Sequence, residues 1–205
     1  GLMAGTHRGG YTPFGFDITP LLKEGENDLC LRVEDQPDCS QPRGKQYWEE
    51  GLMGCWYTPV SGIWQTVWLE AAGANSLTAI HVTPDIDRCR ADVRLRLEKR
   101  PAPGTRAAYE LSYEGRLLTR GEVSIWDQTP GFSLDIRFGG RVDNVPVWTP
   151  EHPRLFDLKI TLITGQGAQD GVTTYFGMRK VEVKNGQVLL NNTPIYQRLI
   201  LDQGY

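Results

Sequence analysis

Ala91-Asp92-Val93-Arg94-Leu95-Arg96-Leu97-Glu98 alternates apolar and charged side chains at every step. A period of two sends all the apolar groups to one face of an extended chain and all the charges to the other, the pattern of a strand with one buried face. Outward from it the pattern recurs. Leu77 to Thr83, Ala108 to Tyr113, Gly121 to Trp126, Phe132 to Phe138, Leu155 to Thr164 and Thr173 to Phe176 all read as strands. Turn dipeptides such as Pro103-Gly104 and Glu114-Gly115 separate them. Seven short strands within about a hundred residues make an immunoglobulin-like β-sandwich, and the lack of a Cys-Trp-Cys arrangement excludes the antibody type.

Beyond this block, Val181 to Lys184 and Gln187 to Leu190 flank Asn185-Gly186, the strongest short-range hairpin signal. A second turn at Asn191-Asn192 leads into Pro194 to Leu201, an apolar run that reads as a buried strand with no obvious partner inside this chain. Ahead of the block, Ala71 to Ser76 offers no large side chain to bury and marks a domain boundary. Asp28 to Glu34 and Ile63 to Glu70 alternate like strands, and the only helical signal is one turn at Pro20 to Lys23, with Asp17 and Thr19 to cap it and Gly25 to end it. Between the two strand-like segments, Asp35 to Gly62 is irregular but carries Tyr47, Trp48, Trp56 and Tyr57, which points to an ordered, functional loop.

The 205 residues suffice for one large domain or two ordinary ones, and are too few for a complete eight-stranded barrel with accessory modules. With 22 Lys and Arg against 25 Asp and Glu, the net charge of -3 argues against nucleic acid as a partner. No apolar run reaches the roughly 18 to 20 residues that span a bilayer, so no membrane partner is expected. The 23 Gly and 13 Pro are spread along the chain, as many short strands require. Cys30, Cys39, Cys55 and Cys89 lack the close pairing of a zinc site; free thiols in a reducing, cytoplasmic setting are expected, with a Cys39 to Cys55 disulfide the alternative left open. His7, His81 and His152 have no spacing for a metal or a triad and read as structural. Gly9-Gly10 precedes no helix and is read as close strand packing, not a phosphate cradle.

Three stretches together resemble glycoside hydrolase family 2, which holds β-galactosidases and β-glucuronidases. His7-Arg8-Gly9-Gly10-Tyr11-Thr12-Pro13-Phe14 with Phe16-Asp17-Ile18-Thr19, followed by Ser61-Gly62-Ile63-Trp64-Gln65 and Val67-Trp68-Leu69-Glu70, is similar to its sugar-binding-like jelly roll. Trp148-Thr149-Pro150, Pro153-Arg154-Leu155-Phe156-Asp157-Leu158 and Phe176-Gly177-Met178-Arg179-Lys180-Val181 resemble the end of its immunoglobulin-like domain. Tyr196 to Tyr205 resembles the first strand of the catalytic barrel.

The resemblance implies an all-β chain: a partial jelly-roll sandwich at 1–72, an immunoglobulin-like β-sandwich at 73–180, and at 181–205 a hairpin with the first strand of a truncated TIM barrel. It implies further that the jelly roll's first strands precede Gly1 and that seven more strand-helix units follow Tyr205. Removing early strands leaves open sheet edges, so dimerisation through the first domain, or disorder at Gly1 to Tyr11, is expected. The expected partners are a carbohydrate substrate, the missing barrel and a second copy in a homo-oligomer.

Retaining glycosidases use two carboxyl groups about 5 to 5.5 Å apart. By the resemblance both are glutamates on later barrel strands, so no catalytic residue, metal or cofactor is expected here, and the chain alone should be inactive. Glu49-Glu50 and Glu34-Asp35 do not substitute, because neighbours in extended chain point to opposite sides. What is left is sugar binding. Trp and Tyr stack on apolar sugar faces while polar groups take the hydroxyls, and Arg43, Lys45, Gln46, Tyr47, Trp48, Trp56 and Tyr57 offer that mixture, with Arg43, Trp48, Trp56 and Tyr57 the candidate substrate contacts. The alternative is that these aromatics pack a core or a seam between domains, a reading that weighs most for Trp64 and Trp68. By the resemblance, Asp202, Gln203 and Tyr205 end a barrel strand and hydrogen-bond a sugar in the parent enzyme. Leu201-Asp202-Gln203-Gly204 departs from the family's Asn-Arg-His-Glu type sequence, which leaves the preferred sugar open. An autonomous carbohydrate-binding module or lectin is the competing function; an immunoglobulin-type adhesion protein suits the second domain but not Pro194 to Leu201.

Overall fold

The computed structural model describes residues 1–49, 51, 54–137 and 145–202. The chain divides into two compact units, Gly1–Leu69 with Leu199–Tyr205, and Glu70–Arg198.

The second unit holds the strands. β1 (Leu77–Asp85), β2 (Arg90–Leu97) and β5 (Gly131–Asp135) form one antiparallel sheet in the order β1-β2-β5. β3 (Arg106–Tyr113), β4 (Arg116–Ser124), β6 (Phe156–Thr164) and β7 (Gly167–Phe176) form the other, in the order β4-β3-β6-β7. Every second residue of β2 is buried, as is every second residue over most of β6, and Val93, Leu95, Leu111, Phe156, Leu158 and Ile160 belong to one core fed by both sheets. Each such side chain contributes roughly 1.5–3 kcal/mol by leaving water, and this layer holds the sandwich together. The seven-strand expectation therefore holds. Several strands differ in extent, β4 and β7 the most. β4 begins at Arg116, directly after the Glu114-Gly115 turn, and stops short of Trp126, which is exposed. β7 begins at Gly167 because β6 supplies ladder partners that far. Phe138, at the expected end of β5, lies outside the described residues.

A third small sheet follows: β8 (Val181–Lys184), β9 (Gln187–Leu190) and β10 (Thr193–Pro194), in the order β10-β9-β8. Its first turn places Asn185 and Gly186 at φ 52° and 74°, the left-handed pair that a two-residue hairpin demands. Asn191 and Asn192 do the same for the second turn. A clasp ties this sheet to the sandwich. The Lys180 ammonium donates to Asp87 Oδ2 (2.8 Å) and Asn192 Oδ1 (2.9 Å), Asn192 Nδ2 donates to Asp87 Oδ1 (2.7 Å), and Asn191 Nδ2 donates to the Trp148 carbonyl (2.9 Å).

Two expectations are corrected. As expected, Pro194 to Leu201 lacks a strand partner among the described residues beyond the Ile195 amide, which donates to the Val188 carbonyl (3.0 Å), but it is not buried: Tyr196, Leu199, Ile200 and Leu201 are exposed. Asp28 to Glu34 and Ile63 to Glu70 alternate correctly but form no strand. A strand is defined by its ladder, and neither segment finds one among the described residues, so Leu29, Leu31, Val67 and Leu69 stay exposed. Trp64 and Trp68 are likewise about two-thirds exposed, not packed in a core, although Trp64 Nε1 donates to the Gly10 carbonyl (2.7 Å). The single helical turn is a 3-10 turn at Thr19–Leu21, with the Thr19 amide donating to the Asp17 carboxylate (2.9 Å). Among the described residues no helix is long and apolar enough to cross a membrane.

Candidate functional site

The aromatic loop of the first unit is ordered by its own contacts. Gln46 and Tyr57 form an isolated parallel bridge, in which the Tyr47 amide donates to the Tyr57 carbonyl (2.9 Å) and the Tyr57 amide to the Lys45 carbonyl (2.8 Å). The bridge closes the loop and brings the rings together. Tyr47 is buried, with Trp48 at 5.2 Å and Trp56 at 6.3 Å between ring centroids, and the two tryptophans meet edge-on at 5.0 Å. Such pairs add about 0.5–1.5 kcal/mol each beyond area burial. Both tryptophans are half-buried and Tyr57 is exposed, its ring capped by the Lys45 ammonium at 5.8 Å. Trp48 and Trp56 pack on Tyr47 and on each other, and each stays partly exposed.

Arg43 anchors the base of the loop. Its side chain is only 7% exposed, and it donates to the Gln36 carbonyl (2.8 Å) and to Asp35 Oδ1 (3.3 Å). A buried guanidinium needs such a partner to offset desolvation. Asp35 in turn accepts from Ser61 Oγ (2.8 Å) and Gln41 Nε2 (3.2 Å), so one carboxylate gathers three parts of the loop. Arg43 is thus committed to holding the loop, and only its Nε is buried without a hydrogen-bond partner. Nothing in the sequence marked Asp35 for this work, because its partners lie 6, 8 and 26 residues away.

Two groups of the loop titrate away from their ordinary values. Burial, then the Glu49 carboxylate that accepts from its hydroxyl (3.1 Å), pushes the Tyr47 phenol up. The backbone amide of Ser40, donating at 2.7 Å, holds the Asp38 carboxyl down. Neither forms a general acid-base pair. Asp202 is exposed, and Gln203, Tyr205 and Glu50 lie outside the described residues. The structure brings Trp48, Trp56, Tyr57 and Arg43 into one loop, with Arg43 bonded to Gln36 and Asp35. None of the four cysteines is in a disulfide, so Cys39 and Cys55 are not joined; Cys89 is buried, its thiol directed at the Ile86 carbonyl (3.7 Å). His7 stacks on Phe14 at 4.4 Å, and His81 stands on β1 opposite Arg94.

In the second unit, the Trp148 and Met178 motifs meet each other. Val147 bridges Met178, the Trp148 amide donates to the Met178 carbonyl (2.9 Å), and the Arg179 guanidinium lies 4.8 Å from the Trp148 ring centroid. A Cβ on Gly177 would stand 3.0 Å from Trp148 Cβ, so glycine lets the indole close over the strand end.

This same span is what known proteins share. The family model for glycosyl hydrolases family 2 matches residues 75–179. The chain belongs to that family. Among its family-2 relatives, a β-galactosidase of Thermoanaerobacter pseudethanolicus is 28% identical over 97% of this chain and 26% of its own length. A putative β-glucuronidase of Formosa agariphila is 27% identical over 97% of this chain and 23% of its own. A β-glucuronidase of Ruminococcus gnavus aligns in structure over 62% of this chain and 19% of its own, with a TM-score of 0.45 at 18% identity. The chain thus spans 18–26% of the length of the curated relatives it matches.

Proposed function

We propose that this chain is the non-catalytic β-sandwich region of a family-2 exo-β-glycosidase of β-galactosidase or β-glucuronidase type. In the full-length enzyme a retaining, two-carboxylate mechanism would hydrolyse terminal β-glycosides, with both carboxylates supplied by the barrel and no metal or cofactor required. Support comes from the family match and from relatives of both names that cover nearly the whole chain. On this reading residues 1–72 are part of a jelly roll, and 181–205 are a hairpin with the first strand of the barrel. In that setting Trp48, Trp56 and Tyr57 form a wall that stacks on the sugar, Arg43 holds the wall, and Asp202, Gln203 and Tyr205 contribute from the first barrel strand. The observation that carries the wall is the tryptophan pair braced on buried Tyr47 and still half-exposed. A homo-oligomer and a cytoplasmic setting belong to the same proposal, the latter resting on the exposed free Cys30, Cys39 and Cys55.

One observation favours the second reading, an autonomous carbohydrate-binding module: the loop is closed by its own bridge and by Asp35, so its rings are preformed. Titrating methyl β-galactoside and methyl β-glucuronide into the 205-residue chain, read by tryptophan fluorescence, separates the two. The scaffold reading expects no binding at millimolar sugar. Millimolar or tighter binding that Trp48→Ala or Trp56→Ala abolishes establishes the module instead. Cleavage of a chromogenic β-glycoside by the chain alone overturns both.

A further inference from the structure

The asparagines of this chain are held very unequally. Asn27 Oδ1 accepts from the Lys23 amide (3.0 Å) while its Nδ2 donates to the Lys23 carbonyl (2.8 Å). Asn75 makes the same two-way exchange with the Lys99 backbone, accepting at 2.8 Å and donating at 3.1 Å. Asn191 Oδ1 accepts from the Lys180 amide (3.0 Å) and its Nδ2 donates to the Trp148 carbonyl, and Asn192 is fixed between Lys180 and Asp87. In all four, both ends of the side-chain amide are engaged. Asn185 differs: it is exposed, and its side chain takes no hydrogen bond among the described residues. Asn144 lies outside the described residues.

The next residue sharpens the contrast. Asn27, Asn75, Asn191 and Asn192 precede Asp28, Ser76, Asn192 and Thr193, whereas Asn185 precedes Gly186. No side chain shields the Gly186 nitrogen, and a Cβ there would meet nothing within 4 Å. Closing a ring between the two residues requires their shared peptide plane to rotate out of the left-handed turn. The ladder pair next to that turn is Lys184 with Gln187, both exposed, so the rotation needs only the end of the hairpin to open.

We propose that Asn185 is a site of spontaneous deamidation, and that its isoaspartyl product opens the tip of the β8–β9 hairpin. The Gly186 amide nitrogen gives its proton to water and bonds to Asn185 Cγ. The Cγ–Nδ2 bond breaks, and the leaving nitrogen takes a proton from water and departs as ammonia, leaving a five-membered succinimide. A water molecule then opens the ring at one of its two carbonyls, its hydroxyl going to the carbon and its hydrogen to the nitrogen. Opening at Cγ yields an aspartate in an ordinary backbone. Opening at the main-chain carbonyl sends the backbone through Cγ, an isoaspartyl linkage that lengthens the turn by one methylene. The balance is one water in and one ammonia out. A two-residue turn sets the register of its strands, so the added backbone atom pulls Lys184 and Gln187 apart. Either product is one unit more negative than the chain's net charge of -3. The inference is independent of the glycosidase reading, since it concerns the chain's own covalent structure.

The test ages the full chain in mildly alkaline buffer and follows each asparagine by peptide mapping, with isoaspartate scored by an isoaspartyl methyltransferase assay and acidic species separated by anion exchange. Asn185 is expected to convert about tenfold or more faster than Asn27, Asn75, Asn191 or Asn192, each of which must first break two hydrogen bonds, and to give isoaspartate among its products. Asn185→Gly, which suits a left-handed turn and has no side-chain amide, should give no acidic species on the same timescale. Asn185→Asp carries the new charge on an unaltered backbone, so hydrogen exchange in β8 and β9 should match that of fresh chain, while the isoaspartyl fraction should exchange faster there. An Asn185 amide that survives ageing, another described asparagine converting as fast, or an Asn185 product free of isoaspartate overturns the modification site. An isoaspartyl fraction that exchanges no faster than Asn185→Asp overturns its effect on the hairpin.

Discussion

Gly73 shows how much one hydrogen atom can decide. A Cβ there would stand 2.2 Å from the Gln169 carbonyl oxygen and 3.1 Å from its carbon, both backbone atoms that cannot swing aside. The run Ala71 to Ser76 is therefore docked, not loose. Asn75 exchanges hydrogen bonds with the Lys99 backbone (2.8 and 3.1 Å), and the Leu77 amide donates to Asp170 (2.7 Å). Gly73→Ala should destabilise the sandwich by about 1–3 kcal/mol, the usual cost of forcing an extra methyl into a closed contact. Urea denaturation read by circular dichroism measures it, and an unchanged midpoint would mean that the approach of the two backbones is looser. The candidate site was legible to the same depth. Its aromatics could be named because ring chemistry is local information, whereas the Asp35 knot depends on chain closure that no short window contains.

At the scale of elements, the hairpin of β8 and β9 hangs on charge. The Asp87 carboxyl is held below the usual range first by Lys180 and then by Asn192, and the Lys180 ammonium is raised first by Asp87, with Glu182 adding to it. A depressed carboxyl contributes stability that is complete above about pH 4 and is lost as the pH falls through its native value. A raised ammonium contributes stability that is complete below about pH 10.4 and is lost as the pH climbs through its native value. The clasp is thus intact across the range between. Asp87→Asn should lower the thermal midpoint near neutral pH and flatten its fall below pH 4; a parallel downward shift at every pH would assign the loss to packing alone. Strand existence was readable at this scale and strand pairing was not. Ala91 to Glu98 and Asp28 to Glu34 alternate equally well, yet only the first has β1 and β5 beside it. Alternation states which face would be buried, and the neighbour that buries it comes from elsewhere in the chain.

For the molecule as a whole, this difference in pairing predicts an uneven distribution of stability. Amides of Val93, Leu95, Leu158 and Ile160 sit in ladders over a core that excludes water, and they should exchange with deuterium only through large openings. Amides of Leu29, Leu31, Val67 and Leu69 have no ladder and should exchange at nearly the rate of free peptide, at least about a thousandfold faster. Exposed alternating segments with unpaired backbone also template one another, so the chain should self-associate as its concentration rises. Sedimentation velocity over a concentration series, run beside the exchange experiment, links the two effects. If association is by strand pairing, slow exchange should appear at Leu29 and Leu31 only in the concentrated sample. Slow exchange there in dilute monomer would mean that Asp28 to Glu34 has a ladder partner within its own chain, and the account of the first unit would fail.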